Sequence, residues 1–210
     1  MFGWSAGWLA LGGRAIGFDI EHLPHHGTVP KGAELALQDV GTLHGRQFKN
    51  AALILASPPC QNYSYMAMPW KRGKEIAAAI REDQSGRKLD TLNALFNACF
   101  RIQAEASEAA GHHIPMVVEN VQGAQSWVGR AAWHYGSYYL WGDVPALMPF
   151  TRVLKGPGCK GMQQGGGTVY RPDQPSAYWS RSAARKAASA QIAKIPAELS
   201  DWVARAYWPR

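Results

Sequence analysis

A chain of 210 residues can bury one domain-sized core and is too short for a large multidomain machine. Hydrophobic residues at 47% and charged residues at 18% exclude a chain that is disordered throughout, which would be poorer in apolar groups and richer in charge. Twenty-two Lys and Arg against fifteen Asp and Glu leave a formal charge of +7, a balance that suits a polyanionic partner such as nucleic acid.

No run approaches the roughly 20 consecutive apolar residues that span a bilayer, and the N-terminus lacks a basic region followed by an apolar stretch. The expectation is a protein that neither crosses a membrane nor is secreted. The three cysteines, Cys60, Cys99 and Cys159, are odd in number, far apart and without C-x-x-C spacing. They fit neither a disulfide framework nor a zinc site, and they point to a reducing, cytoplasmic compartment. The pairs His25-His26 and His112-His113 have no carboxylate or cysteine at ligand spacing, so no metal site is expected.

In chain order, residues 14–21 (RAIGFDIE) alternate apolar residues and end in acids, which predicts a strand delivering a carboxylate to its C-terminal edge. Residues 51–56 (AALILA) form a short apolar run halted by Ser57-Pro58-Pro59, the pattern of a buried strand in a parallel sheet. Residues 73–82 can make a short helix. Between Leu89 and Ala110 the apolar residues Leu89, Leu92, Leu95, Phe96, Cys99 and Phe100 recur at helical spacing, with Asp90 as the expected N-cap and Gly111 as the C-cap. Pro115 leads into a second apolar strand, 116–120 (MVVEN), so strand, helix and strand follow as a parallel crossover unit in an α/β fold. Residues 135–141 read as one aromatic-rich strand. Glycine and proline crowd residues 156–175, an irregular basic segment. The alanine-rich end, 182–207, reads as a helix, a turn, and a second helix starting near Pro196.

Catalytic groups gather at the carboxyl ends of strands in open α/β sheets. Three such ends carry chemistry. Pro59-Cys60-Gln61 presents a cysteine on a proline-stiffened strand end, where it can act as a nucleophile if its surroundings favour the thiolate. Glu119-Asn120-Val121 places a carboxylate at the end of a hydrophobic strand; with the two strands side by side, a nucleophile faces a proton donor. Asp19 with Glu21 is the third, an acid placed to hold ribose hydroxyls. The ordinary alternatives are a small buried cysteine and solvated strand termini, and the proline-stiffened strand end is what favours chemistry at Cys60.

Ser57-Pro58-Pro59-Cys60-Gln61-Asn62-Tyr63-Ser64 and, one helix later, Val117-Val118-Glu119-Asn120-Val121 resemble the two central motifs of DNA (cytosine-5) methyltransferases, and the run from Glu119 through residues 141–145 (WGDVP) resembles that family's compact phage and prophage members. The resemblance covers most of the chain. It implies a Rossmann-like S-adenosylmethionine-dependent sheet with helices on both faces. It also implies that Cys60 attacks C6 of a flipped cytosine in DNA while Glu119 stabilises N3. Pro59, Gln61, Ser64, Asn120 and Val121 would surround the base, with Pro59 also touching the cofactor. Asp19, or Glu21 as the second candidate, would take the cofactor ribose, Asp39 the adenine, and Phe2 and Gly7 belong to a segment resembling the glycine-rich first motif, with Trp4 where a glycine is expected. Pro196 resembles the last motif.

Three departures from the family follow. The chain begins almost on the glycine loop, so the family's first strand is expected to be missing. The family's base-fixing arginine motif is not recognisable, and Arg130 or Arg152 would substitute. The DNA-reading segment shrinks to a glycine-rich loop. The expected organisation is a methyltransferase core over 1–150, the basic loop over 151–180, and C-terminal helices over 181–210 that complete the core. An amino-methyltransferase also uses a Ser-Pro-Pro strand end, but Cys60 stands in its aromatic position and Glu119 has no role there. The alternative of another class is a non-catalytic relative that binds nucleic acid or a partner.

Overall fold

The computed structural model describes residues 2–22, 27–61, 63, 70–146 and 194–209. The expectations at His25-His26, Ser64, Arg152, Cys159, the 156–175 segment and the helix over 182–193 lie outside the described residues.

The elements in order are α1 (Ser5–Ala10), β1 (Ala15–Asp19), β2 (Ala33–Leu37), β3 (Ile54–Ala56), α2 (Trp70–Arg81), α3 (Arg87–Ala110), β4 (Met116–Asn120), α4 (Gln125–Val128), β5 (Trp133–Tyr135), β6 (Tyr138–Gly142) and α5 (Ala197–Tyr207). Strands β3, β4, β6 and β5 form one mixed sheet in that order, β3 parallel to β4 and β6 antiparallel to both β4 and β5. Strands β1 and β2 pair in parallel as a separate ribbon. The fold is therefore mixed α/β, but the single continuous sheet that was expected is in two pieces among the described residues. One edge of β1 and one edge of β3 have no strand partner there, and residues 2–4, which lead into α1, form no strand.

The strand-helix-strand unit is present as β3, α3 and β4. β4 occupies the predicted 116–120. β3 is shorter than the predicted 51–56: its ladder begins with Ile54 N–H donating to the Pro115 carbonyl (2.9 Å), and Pro115 has no N–H with which to extend the pairing. Helix α3 starts ahead of Asp90. Gly86, at φ +72°, is its N-cap, and the upstream Asp83 carboxylate accepts from Lys88 N (2.7 Å), which leaves Asp90 in the first turn, where a negative charge suits the helix dipole. Its C-terminal glycine is as expected, with Gly111 at φ +73°. The aromatic run 135–141 is a hairpin rather than one strand. Gly136, at φ +59°, turns the chain so that Tyr135 pairs with Tyr138.

Side chains alternate across β4 and bury both of its faces. Val117 packs with Trp4, Tyr135, Leu140, Ile195, Leu199 and Val203, so α5 and the start of α1 cover that side. Met116 and Val118 pack with Phe96, Cys99, Tyr63, Ala124 and Trp141, which places α3 and the β4–α4 segment on the other. The α1–α5 crossing is close because Gly7 has no side chain: a Cβ there would lie 2.5 Å from the Ser200 carbonyl oxygen. Ser200 Oγ accepts from Gly7 N (2.9 Å) and donates to Trp4 O (2.7 Å), fixing the crossing.

The β1–β2 ribbon is tied on by fewer devices. The Phe2 ring lies against Gly17, Phe18 meets Phe48 edge to face at 5.3 Å, and the chain after β2 docks on α3 where Gly45 N donates to Glu105 (2.6 Å). No described helix is long and apolar enough to cross a membrane.

Candidate active site

Strands β3 and β4 run in parallel with Ala56 opposite Val118, so their next residues, Ser57 and Glu119, emerge together at the same carboxyl edge. The two ends are laced to each other. Asn120 Nδ2 donates to the Pro58 carbonyl (2.9 Å), and Asn120 Oδ1 accepts from Val121 N (2.9 Å). Asn120 is almost fully buried and spends both its amide atoms on these bonds, so its role is to hold the strand ends rather than to reach outward.

Three residues beyond Ser57 the chain turns, with Tyr63 N donating to the Cys60 carbonyl (3.0 Å). The Tyr63 ring is buried, and its hydroxyl donates to Asn93 Oδ1 on α3 (2.9 Å), while Asn93 Nδ2 donates to the Trp127 carbonyl (2.9 Å). This brace anchors the cysteine turn to two helices.

Cys60 is half-buried and close enough to Glu119 for the carboxylate to act on it. Burial first and the Glu119 charge second push its thiol above the usual cysteine range, against an opposing hydrogen bond from its own backbone. Unliganded, Cys60 is therefore a thiol at neutral pH, and its surroundings do not activate it in advance. Glu119 is pushed up to about 7 by burial, with a hydrogen bond from Ser57 pulling the other way. A carboxyl with that proton affinity both holds and releases a proton near neutral pH, the property of a general acid. Cys99 makes the contrast. It sits on α3 with its thiol donating to the Leu95 carbonyl (3.3 Å), and burial raises it to about 11, an inert core cysteine.

The expected cofactor residues divide. Asp19 ends β1, where Leu37 of β2 is its register partner, and Asp39 follows two residues later, so both acids reach one edge of the ribbon. Asp19 Oδ1 accepts from Ile20 N (2.8 Å) and Asp39 Oδ1 from Gly41 N (2.8 Å), which orients each carboxylate and leaves its second oxygen for another partner. Glu21 is exposed beyond them. Phe2 lies over β1 at Gly17. Gly7 is placed in the α1–α5 crossing instead, its N–H already committed to Ser200. Of the expected base-side residues, Pro59 and Gln61 are exposed beside Cys60. Val121 is half-buried against the Met116 and Val118 cluster, and Arg130 is exposed just past α4. Pro196 is the N-cap of α5. No group of three or more His, Cys, Asp or Glu among the described residues is gathered to hold a metal.

Sequence reasoning missed four positioning residues. Ser57 was detectable, because it follows β3 as Glu119 follows β4. Asn93 and Tyr63 left a fainter mark, a polar residue on the apolar stripe of α3 and an aromatic three residues past the cysteine. Trp4 donates its indole N–H to Ser57 Oγ (2.9 Å) across 53 residues of chain, and no local pattern carries that contact.

No protein-family model, no curated protein and no solved structure matches the chain. The chemistry of the site therefore rests on its own residues.

Proposed function

We propose that the protein is a DNA (cytosine-5) methyltransferase, in which Cys60 forms a covalent bond to C6 of a cytosine and Glu119 acts as the acid at N3. The observation that carries this reading is the pairing of a thiol with a half-buried carboxyl of near-neutral proton affinity at two adjacent parallel strand ends. It takes up the resemblance in residues 57–64 and 117–121 and supplies a chemical reason for both motifs. The Rossmann-like methyltransferase sheet belongs to the same proposal, with β1–β2 as its cofactor half and β3–β4–β6–β5 as its catalytic half.

The donor set fits S-adenosylmethionine. Asp19 and Asp39 each present an oriented carboxylate at one strand edge, which suits ribose hydroxyls and an adenine amine, and Phe2 offers an apolar ring over β1. When bound, the cofactor supplies the electrophilic methyl group that C5 of cytosine accepts.

The chain's own residues do the rest. The Cys60 sulfur, on losing its proton to solvent, attacks C6 and forms the S–C6 bond, and the C5=C6 electrons shift into the ring toward N3. Glu119 transfers its proton to N3 and so neutralises the charge as it develops. C5 is then electron-rich and takes the methyl group. Loss of the C5 proton to water re-forms C5=C6 and expels Cys60 as thiolate, and N3 returns its proton to Glu119. Since C6 is inaccessible inside a duplex, the base must leave the stack. The exposed Lys71, Arg72, Lys74 and Arg81 of α2, with Arg130, supply positive charge for the flanking phosphates.

One observation favours a second reading, a nucleic-acid-binding relative without methyl transfer. Trp4 stands where the resembled motif has a glycine, and its ring is buried at the strand edge.

Incubation of the full chain with duplex DNA and S-adenosylmethionine, followed by nucleoside mass spectrometry, separates the readings. The expected product is 5-methyl-2′-deoxycytidine, absent with Cys60→Ser and reduced by roughly 100-fold or more with Glu119→Gln. Methylation on an exocyclic amine would transfer the site to the amino-methyltransferases, and DNA binding with no methylated base would favour the second reading.

A further inference from the structure

Ser57 lies outside the residues that touch a reacting atom in the mechanism above, yet it stands between Trp4 and Glu119. An indole N–H is a donor only, so the 2.9 Å contact from Trp4 Nε1 uses a lone pair of Ser57 Oγ. Ser57 and Glu119 follow the register pair Ala56 and Val118 at one strand edge, so the hydroxyl proton that remains has the Glu119 carboxylate beside it, and donation there lowers the carboxyl's proton affinity. Trp4 cannot swing away. Its ring is locked in the core with Val117, Leu140, Leu199 and Val203, and its carbonyl accepts from Ser200 on α5 (2.7 Å).

We propose that Ser57 is the positioning residue of the catalytic acid, and that Trp4, held by α5, aims the Ser57 hydroxyl at the Glu119 carboxyl. The inference rests on the reading of Glu119 as the acid at N3, and it gives the tryptophan in the glycine's place a function. The relay runs from the Trp4 indole through Ser57 to Glu119, and Ser200 on α5 holds the Trp4 backbone in place. Successive donors in such a chain polarise one another, so the indole contact strengthens the bond that the carboxylate receives. Burial raises the proton affinity of Glu119, and a carboxyl that binds its proton more tightly is a poorer donor to N3. The relay opposes burial and keeps the acid near neutrality. The group that shares this environment is the Cys60 thiol from the β3 side. From β6 the register partner is the uncharged Leu140, and from α1 it is Trp4.

The test needs neither DNA nor cofactor. Carbon-13 NMR of the full chain with labelled glutamate follows the Glu119 carboxyl through a pH titration, and Glu119→Gln identifies its signal. Ser57→Ala is expected to raise the midpoint by a few tenths to about one pH unit. Trp4→Phe keeps an aromatic ring but removes the N–H, and is expected to raise it by a smaller amount in the same direction, while Ser57→Thr restores the wild-type value. Should Trp4→Phe fail to fold, Ser57→Ala and Ser57→Thr decide alone. A midpoint that stays in place in Ser57→Ala overturns the proposal; one that moves in Ser57→Ala but not in a folded Trp4→Phe overturns the part given to Trp4. Because the readout is made on the free protein, a chain that shows these shifts yet methylates no cytosine keeps the relay and loses the enzymatic reading. A chain that methylates with an unmoved midpoint does the reverse.

Discussion

Strands β1 and β4 are both five residues long, both apolar, and both bring an acid to a carboxyl edge, yet they live in different surroundings. β4 has a strand on each side and side chains packed on both faces, and its Met116, Val117 and Val118 are fully buried. β1 has one strand partner, and its Ile16 is 62% exposed. The consequence appears in the acids. Glu119 is desolvated and takes up a proton near neutrality, whereas Asp19 is near solvent and held in place by backbone N–H groups. Strand partners on both sides desolvate the carboxyl of β4, while at β1 backbone N–H groups orient the acid.

The contrast breaks most readily at the core. Leu140 is fully buried on β6, so Leu140→Ala is expected to cost about 2–5 kcal/mol in urea unfolding. Leu37→Ala, at a side chain 61% exposed on β2, should stay within about 0.5 kcal/mol. Equal losses would show that the two halves are packed alike.

Next in size is the pH dependence of stability. The Glu119 carboxyl titrates near 4.3 when unfolded and at about 7 when folded, so the folded state binds the proton more tightly. The stability that Glu119 contributes is then fully present below pH 4 and is lost as pH rises through about 7, a change of as much as about 3.5 kcal/mol, while the lowered carboxyls of Asp83, Glu105 and Asp143 act in the opposite sense in acid. Glu119→Gln should remove this slope and exceed the wild type in stability at pH 8, a gain that marks a residue kept for chemistry. A wild-type profile without the decline would mean that Glu119 is not desolvated.

Ser200→Ala strips the Trp4 carbonyl and the Gly7 N–H of their shared partner in the α1–α5 crossing, and about 1–3 kcal/mol should be lost in thermal unfolding. The smallest effect belongs to the ribbon. Arg14 and Glu34 pair at 2.9 Å across β1 and β2 with both side chains mostly exposed, and Arg14→Ala should cost no more than about 0.5 kcal/mol, less still in high salt.

What could be read from the sequence followed the same division between local and distant. Met116–Asn120 was legible to the residue, because Pro115 opens an apolar run that polar groups close. The helix ending at Gly111 was legible from its apolar spacing and its glycine. Its start was displaced because the capping carboxylate, Asp83, lies upstream of the left-handed Gly86 and not at the first apolar residue. The hairpin hid inside a continuous aromatic run that only the backbone of Gly136 divides. At the site, Cys60 and Glu119 were visible as strand ends. The bonds that hold them were not, since Gly7 to Ser200 spans 193 residues and Trp4 to Ser57 spans 53. Such contacts arise from the packing of whole layers and leave no periodic trace.

The proposed reaction requires, above all, a covalent bond between Cys60 and cytosine. Duplex DNA carrying 5-fluorocytosine blocks loss of the C5 substituent, so the adduct should persist after methyl transfer. With S-adenosylmethionine present, peptide mass spectrometry should find a methylated fluorocytosine nucleotide on the peptide containing Cys60 and none in Cys60→Ser. A well-folded wild-type chain that forms no such adduct, or forms it equally in Cys60→Ser, would contradict the central claim.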